Sequence, residues 1–388
     1  MEISIVIPVY NAEKTILRCL ESISSQIPPC PPLTSPLSPP FEGGDGEVSK
    51  GGEGGSFEII LIDNNSTDNS VQLIKDFISK KEGLNIKLIH ELKQGSCAAR
   101  NRGARIAKGK IIVNTDPDCV ADKGWLKDIT SAFDTPPASP PYKGGDGGVG
   151  AIAGNIYGFN PQGIIEKFLS IFTLRGIGEH RIFDSYNLFT GGFATANLSV
   201  RKDVFERIDG FDENINIFGE DHDLCARIYK AGYKIKTVPN AVIYHIHRGD
   251  LRGLAKQSFH FGIAHSVLLK KHFPKGLFIE LPWFTFAKED GFALLTTSFG
   301  VPIWINLNSF DKKIFVICLA GCLIPSILIL IPFYFLYQMF NIKRRAKRLD
   351  MTLSISELFV ISGLLFIKSL FMTIGRIYGS FKKIVICI

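Results

Sequence analysis

Apolar runs and amphipathic stretches alternate through the first half of the chain. "ISIVIPVY" (3–10) is apolar, rich in β-branched residues and followed by Asn11, the pattern of a buried strand. "AEKTILRCLESISSQ" (12–26) then sets Ile16, Leu17, Leu20 and Ile23 at helical spacing. The rhythm repeats. "FEIILID" (57–63), "IKLIH" (86–90) and "KIIVN" (110–114) read as strands, while "NSVQLIKDFISKK" (69–81) and "SCAARNRGARIAKG" (96–109) read as helices. Further on, "WLKDITSAFD" (125–134) reads as a helix and "VGAIAGNIYGF" (149–159) as a strand. This order predicts an α/β fold, a mostly parallel, Rossmann-like sheet with helices on both faces. Ligands in such sheets bind beyond the carboxyl ends of the strands. Three loops fall there: Tyr10–Asn11, Asp63 to Asp68, and Asp116 to Asp118.

Two stretches break the rhythm. "SPPFEGGDGEVSKGGEGG" (38–55) has a near copy in "SPPYKGGDGGVG" (139–150). They sit within helix-to-strand connections at about residues 28–56 and 135–148, on the rim opposite the expected site. Connections of that kind usually run about 2–6 residues. Neither stretch can bury apolar surface, and neither has the Lys-Ser/Thr ending of a phosphate loop, so both are expected to be disordered insertions.

After residue 250 the pattern changes. "LRGLAKQSFHFGIAHSVLLKKHFP" (251–274) is amphipathic and basic, suited to lying on an anionic surface or to closing over the site of the preceding domain. Residues 314–337 carry no charge over 24 positions. A helix of that length spans a hydrocarbon core of about 30 Å, so a transmembrane segment is expected at about 314–338. "KRRAKR" (343–348) follows it as a membrane-surface anchor. To keep this basic loop on the cytoplasmic side, residues 290–308 must also cross or re-enter. The expectation is a membrane hairpin from about 290 to 340, then an interfacial or spanning helix over 358–379, interrupted by Lys368. The organisation reads as an α/β domain (1–250), interfacial helices (251–289) and a membrane-associated region (290–388).

Composition adds three constraints. The chain has 388 residues, 46% of them hydrophobic, and a net charge of +7. No basic stripe with interleaved aromatics occurs in the first 250 residues, so nucleic acid is not an expected partner. Eight cysteines form no CxxC pair, which argues against a zinc site or a disulfide framework. "MEISIVIPVYNAEKT" lacks a basic start and a cleavage site, so the α/β domain is expected to stay in the cytoplasm, attached to the membrane.

Acidic residues carry the candidate chemistry. Asp116 and Asp118 straddle Pro117 directly after a strand. Two such carboxylates repel unless a cation or a sugar hydroxyl satisfies them, and Mg²⁺ or Mn²⁺ with diphosphate oxygens is a natural partner; a solvated turn is the plainer alternative. "FGEDHDLCARIYKAGY" (218–233) opens a helix with Glu220, Asp221 and Asp223. These acids either favour the helix dipole or supply a general base. "AVIYHIHRG" (241–249) places His245 and His247 on one strand face, as structural residues or with one as a metal ligand.

"SIVIPVYNAEKTILRCLESI", "FEIILIDNNSTDNS", "KQGSCAARNRGARIAKGKIIVNTDPDC" and "GGFATANLSVRKDVFERIDGFDE…FGEDHDLCARIYKAGY", in that order, resemble the family 2 inverting glycosyltransferases over roughly residues 3–248. The resemblance implies a GT-A fold binding a nucleotide-sugar donor. It implies that Pro8, Tyr10 and Asn11 line the nucleotide pocket and that Asp63 bonds the base, with Ser66 and Asp68 nearby. Gly95, Arg100 and Asn101 would border the diphosphate and base. Asp116 would face ribose or metal, Asp118 would bind the metal, and His245 would complete its site. Asp221 would be the catalytic base, with Glu220 beside it. The implied acceptor is a lipid-linked sugar, a polysaccharide or a lipid. A catalytically silent scaffold of the same fold is the competing reading. A nucleotidyltransferase fits less well, because "VIPVYNAEKT" has no basic residue in a Gly-rich loop.

Overall fold

The computed structural model describes residues 2–26, 57–81, 83–134, 148–173, 176–186, 191–215, 218–247, 249–280, 295–296, 301–307 and 309–388. Both glycine-rich insertions lie outside these residues, apart from the last position of the second.

The catalytic half runs β1 (Ile3–Val9), α1 (Ile16–Ser24), β2 (Phe57–Asp63), α2 (Ser70–Lys80), β3 (Ile86–His90), α3 (Ser96–Ile106), β4 (Ile111–Asn114), β5 (Cys119–Ala121) and α4 (Trp125–Asp134). It continues with β6 (Val149–Gly158), α5 (Ile164–Phe172), β7 (Ile182–Phe183), β8 (Leu198–Arg201), α6 (Lys202–Arg207), α7 (Glu220–Lys230) and β9 (Lys234–His245). The sheet order is β3-β2-β1-β4-β8-β6-β9-β5, with β7 beside β9. Strands β3, β2, β1 and β4 are mutually parallel, and β8 enters antiparallel between β4 and β6.

β1 is buried along its whole length, which is why it reads as a continuous apolar run rather than an alternation. Ile3, Ile5, Ile7 and Val9 pack with Ile16, Leu20 and Ile23 of α1 and Trp125, Leu126 and Ile129 of α4. Val6 faces the other way, among Ala99 and Ala104 of α3. There the helix comes very close. A Cβ on Gly103 would lie 2.4 Å from Val6 Cγ1, so only glycine fits.

The C-terminal part contains α8 (Leu251–His272), β10 (Gly276–Glu280), β11 (Leu295–Thr296), β12 (Ile303–Asn306), α9 (Phe310–Leu323), α10 (Leu330–Lys347), α11 (Ile355–Lys383) and β13 (Ile386–Cys387). α8 and α11 lie in close contact through small residues. A Cβ on Gly262 would fall 2.1 Å from Met372 O, and one on Gly375 would fall 2.0 Å from Phe259 O.

Two membrane expectations change here. The uncharged stretch 314–338 is not one helix. α9 stops at Leu323, Ile324 is extended (φ −132°, ψ 91°), and Pro325 starts a short 3₁₀ turn to Ile329 before α10 begins. Pro325 supplies no N–H and disfavours helical backbone at Ile324, so it divides the run. Residues 303–306, expected as the end of a first membrane arm, form β12, with Trp304 buried beside Phe278. Residues 290–294 and 297–300 of that arm lie outside the described residues.

Candidate active site

The loops at the carboxyl ends of β1 and β2 hold each other. Asn11, at φ 49°, accepts the Thr67 N–H on Oδ1 at 2.8 Å, and its own N–H donates to Ser66 Oγ at 3.2 Å. Asp63 ends β2 with its carboxylate fixed: Oδ1 accepts the Ser66 N–H at 3.2 Å, and Oδ2 lies 2.8 Å from His90 Nδ1. Tyr10 is 52% exposed beside them. Asp68 is turned into the protein, accepting the backbone N–H of Glu13 and Ser70. Pro8 is buried within β1, in register with Ile62, so it shapes the strand end and does not face an open pocket.

Gly95 opens α3 at φ 138°, a region side chains avoid, and its N–H donates to Asn64 Oδ1 at 2.7 Å. One turn on, Arg100 is only 4% exposed. Its Nη2 donates to Asp116 Oδ1 at 2.6 Å, and Nη1 lies 3.8 Å from Glu220 Oε1. Burial opposes its charge, but Asp116 and Glu220 hold the guanidinium pKa above its usual value. Arg100 thus joins a carboxylate after β4 to one at the start of α7. Asn101 faces elsewhere. Its amide exchanges hydrogen bonds with the Phe211 backbone, 2.9 Å to the carbonyl and 2.8 Å from the N–H, and so pins the loop before α7.

The second acidic group is organised by sheet topology. β5 follows Asp118 at once and pairs antiparallel with the end of β9, opposing Cys119 to His245. That register brings His245 Nε2 to 3.3 Å from Asp118 Oδ1. Asp116, Asp118, Cys119 and His245 each offer a ligand atom, all within 4.8 Å of one another. Burial, followed by the charges of Asp116 and Asp118, pushes the Cys119 thiol well above its usual pKa when no metal is bound. The two carboxylates and the imidazole of this group are a donor set that suits a hard divalent cation. His247 stands behind, its ring 4.9 Å from that of His245, and burial followed by the His245 charge lowers its pKa to about 3. The structure therefore sets His245, and not His247, beside the acids.

α7 presents the third group. Gly219 adopts the left-handed conformation at φ 95°, and Glu220 and Asp221 fill the first helical turn. Burial and then the Asp221 charge raise the Glu220 carboxyl to about 7, against the pull of Arg100. Asp221 accepts the His222 N–H at 2.8 Å, and Tyr186 Oη lies 3.3 Å from His222 Nδ1. A cavity of about 540 Å³ lined by Asn101, Arg105, Phe211, Glu213 and Lys271 touches none of Asp116, Asp118, Glu220 or Asp221.

Two family models match the chain. The one described as glycosyl transferase family 2 covers residues 4–147, and the one described as glycosyl transferase family group 2 covers residues 111–342, more than half of the chain. The chain belongs to the family 2 glycosyltransferases. As one of them it transfers a sugar from a nucleotide-sugar donor. It is 26% identical over 265 residues to glycosyltransferase AglE of Haloferax volcanii, covering 67% of this chain and 71% of that protein. It is 24% identical over 270 residues to the Methanococcus voltae dolichyl N-acetyl-alpha-D-glucosaminyl phosphate 3-beta-D-2,3-diacetamido-2,3-dideoxy-beta-D-glucuronosyltransferase, covering 69% and 74%. Among solved structures, the mannosyltransferase PcManGT from Pyrobaculum calidifontis, in complex with GDP-Man and Mn²⁺, aligns over 69% of this chain and 63% of its own, at 18% identity and a TM-score of 0.46.

Sequence reasoning overlooked one part of this glycosyltransferase. Asp223 is fully buried and accepts from Arg227 Nε at 2.8 Å, Lys271 Nζ at 2.6 Å and His272 Nε2 at 2.8 Å. Burial opposes its ionisation, yet these partners hold its carboxyl well below the usual range. This clamp fastens the helix carrying Glu220 and Asp221 to the end of α8. The i, i+4 spacing of Asp223 and Arg227 was a visible signal; the α8 partners were not.

Proposed function

We propose that this glycosyltransferase is a metal-dependent, inverting enzyme that passes a sugar from a nucleoside-diphosphate donor to a hydroxyl on a lipid-linked glycan or polysaccharide precursor. The observation that carries the reading is the Arg100 bridge between Asp116 and Glu220, which assembles the acids after β4 and at the start of α7 into one site. Tyr10, Asn11, Asp63 and Ser66 receive the nucleoside at the ends of β1 and β2. Asp116, Asp118 and His245 would hold Mg²⁺ or Mn²⁺, which when bound supplies positive charge against the leaving diphosphate. Asp221 accepts the proton of the acceptor hydroxyl. The acceptor oxygen bonds to the anomeric carbon on the face opposite the diphosphate as the donor carbon–oxygen bond breaks, inverting that carbon. Glu220, its carboxyl raised to about 7 by burial and by Asp221, limits the negative charge beside the base.

A lipid-linked acceptor is supported by two long apolar helices, Pro325–Lys347 and Ile355–Lys383, and by the likeness to the Methanococcus transferase, which acts on a dolichyl-linked sugar phosphate. The same helices support membrane attachment.

The test uses purified full-length protein, Mn²⁺ or Mg²⁺, and a panel of nucleotide sugars, with thermal shift and product formation as readouts. Asp221→Asn is expected to bind the responding donor as wild type does and to lose transfer. Full transfer by this variant removes Asp221 as the base. No response of the wild type to any donor favours a silent scaffold.

A further inference from the structure

α9, the 3₁₀ turn and α10 form a hairpin with an unusual distribution of surface. α9 and α10 double back on each other: Phe310 stacks on Tyr334 at 5.3 Å, and a Cβ on Gly321 would meet Leu328 at 2.3 Å. The bend is exposed and apolar, with Leu323 85%, Ile324 55% and Ile329 63% exposed, and the exposure continues along both helices at Phe315, Leu319, Phe333 and Leu336. Both ends of the hairpin are charged. Asp311 and Lys312 begin α9, and Arg344, Lys347 and Arg348 end α10. On α10 the exposed face runs from Phe333 through Tyr337 and Phe340 into Arg344 and Lys347, three or four residues apart each time. Asp311 and Lys312 are buried, so the exposed charge lies at the basic end of α10, and an apolar tip with that basic end matches a leaflet with anionic headgroups.

Length limits how deep the tip can go. α9 has 14 residues. At 1.5 Å per residue it reaches about 20 Å, short of a hydrocarbon core of about 30 Å. Pro325–Lys347, at 23 residues, is long enough to cross by itself, but it is packed against α9 as a hairpin, so the shorter arm sets the depth of the tip.

α11 has 29 residues and is long enough to cross, but its first half is tied to α5 of the catalytic domain and its second half to α8. Glu357 accepts from Lys167 Nζ at 2.6 Å, Lys368 Nζ donates to the Phe172 carbonyl at 2.7 Å, and Arg376 Nε donates to His265 Nδ1 at 3.1 Å. Lys167 and Phe172 belong to α5, which follows the sheet strand β6; His265 belongs to α8. The 19 residues from Glu357 to Arg376 cover about 28 Å, nearly a whole hydrocarbon core. If α11 crossed, α5 and α8 would have to lie in lipid with their charged side chains, each at a cost of about 3 kcal/mol or more at the bilayer centre. Meanwhile Phe359, Ile374 and Phe381 remain exposed on another side of α11.

We propose that this chain is monotopic: the α9–α10 hairpin enters only the leaflet facing the catalytic domain, and α11 lies along that surface without crossing it. The partner is a bilayer bearing anionic lipid. The inference rests on the membrane attachment proposed above and replaces the crossing expected from residues 314–338. It also places the basic end of α10 on the same side as the catalytic domain, in accord with the positive-inside rule.

The native Cys322, exposed beside the hairpin tip, provides the test. Full-length protein carrying Cys318→Ser, with a Cys318→Ser/Cys322→Ser control, is bound to sealed phosphatidylcholine vesicles containing phosphatidylglycerol. A membrane-impermeant maleimide is supplied either outside or sealed inside. Cys322 is expected to be protected on both sides. The triple variant Arg344→Glu, Lys347→Glu, Arg348→Glu is expected to bind these vesicles about 100-fold more weakly. Labelling from the interior alone, with binding intact, would mean a crossing hairpin and would overturn the one-leaflet proposal while leaving membrane attachment standing. Labelling from outside with binding intact would mean that the tip stays in water, which also overturns it. Failure of the wild type to bind vesicles, whether as a monomer or as an oligomer whose copies cover the face, overturns membrane attachment itself.

Discussion

Replacing Glu220 by Gln tests the electrostatics of the site without touching the proposed base. Burial and the adjacent Asp221 raise the Glu220 carboxyl from 4.5 to about 7. Its folded pKa therefore exceeds its unfolded one, so the folded state holds the extra proton between these values. Stability falls as pH rises through this window, and the full penalty stands only above about pH 7. A shift from 4.5 to about 7, at 1.36 kcal/mol per unit, corresponds to about 3 kcal/mol. Arg100 is already included in that balance as the opposing influence, and it keeps Asp116 when Glu220 is neutral. Glu220→Gln should therefore be more stable than wild type by up to about 3 kcal/mol at about pH 8.5, and equal to it at about pH 4.5. The assay is thermal unfolding in chelator at both pH values. The expected gain is roughly 5–10 °C at high pH and none at low pH, at a few degrees per kcal/mol for a domain of this size. A variant less stable than wild type at high pH would mean that ionised Glu220 is a net favourable partner of Arg100, and would refute the reasoning.

Three further outcomes follow from the same geometry. Asp223→Asn leaves Arg227, Lys271 and His272 around a neutral amide and should cost about 3 kcal/mol or more in urea unfolding near neutral pH. Because the Asp223 carboxyl is depressed in the fold, that loss should shrink as pH falls through the ordinary carboxylate range. Gly375→Ala, whose Cβ would meet the Phe259 carbonyl at 2.0 Å, should destabilise by about 1–3 kcal/mol, whereas Gly363→Ala, with nothing within 4 Å, should not. Asp118→Ala should abolish the metal-dependent part of donor binding in calorimetry, as chelation does for the wild type, while Cys119→Ser leaves it intact.

The sheet was legible because its strands are short, apolar and bounded by turns. β1 and β2 were readable nearly to the residue, since every position in them is buried and the chain turns polar where burial ends. The acids were legible because they lie at those same ends, after β2 and β4 and at the start of α7. The roles of two neighbours were not. Arg100 and Asn101 are adjacent in a basic helix, yet one points to Asp116 and the other to the Phe211 backbone, a difference of about 100° around the helix that only the packing reveals. The break in the uncharged run was written in the sequence as Pro325, but average hydropathy over a long window hides a single missing N–H.

The sequence by itself determined the alternation of strands and helices, the three acidic positions at strand and helix ends, and the apolar character of the C-terminal region. These depend on periodicity and on the preferences of individual residues, which act over a few positions. Tertiary structure decided which of these groups meet. The antiparallel pairing of β5 with β9 selects His245 as the neighbour of Asp118, 127 residues away in sequence. Burial makes Arg100 the link between Asp116 and Glu220. The ties of Glu357, Lys368 and Arg376 to α5 and α8 hold an apolar helix against the catalytic domain. Charge pairing and desolvation act through space, and their strength is set by distances and burial that the order of residues does not state.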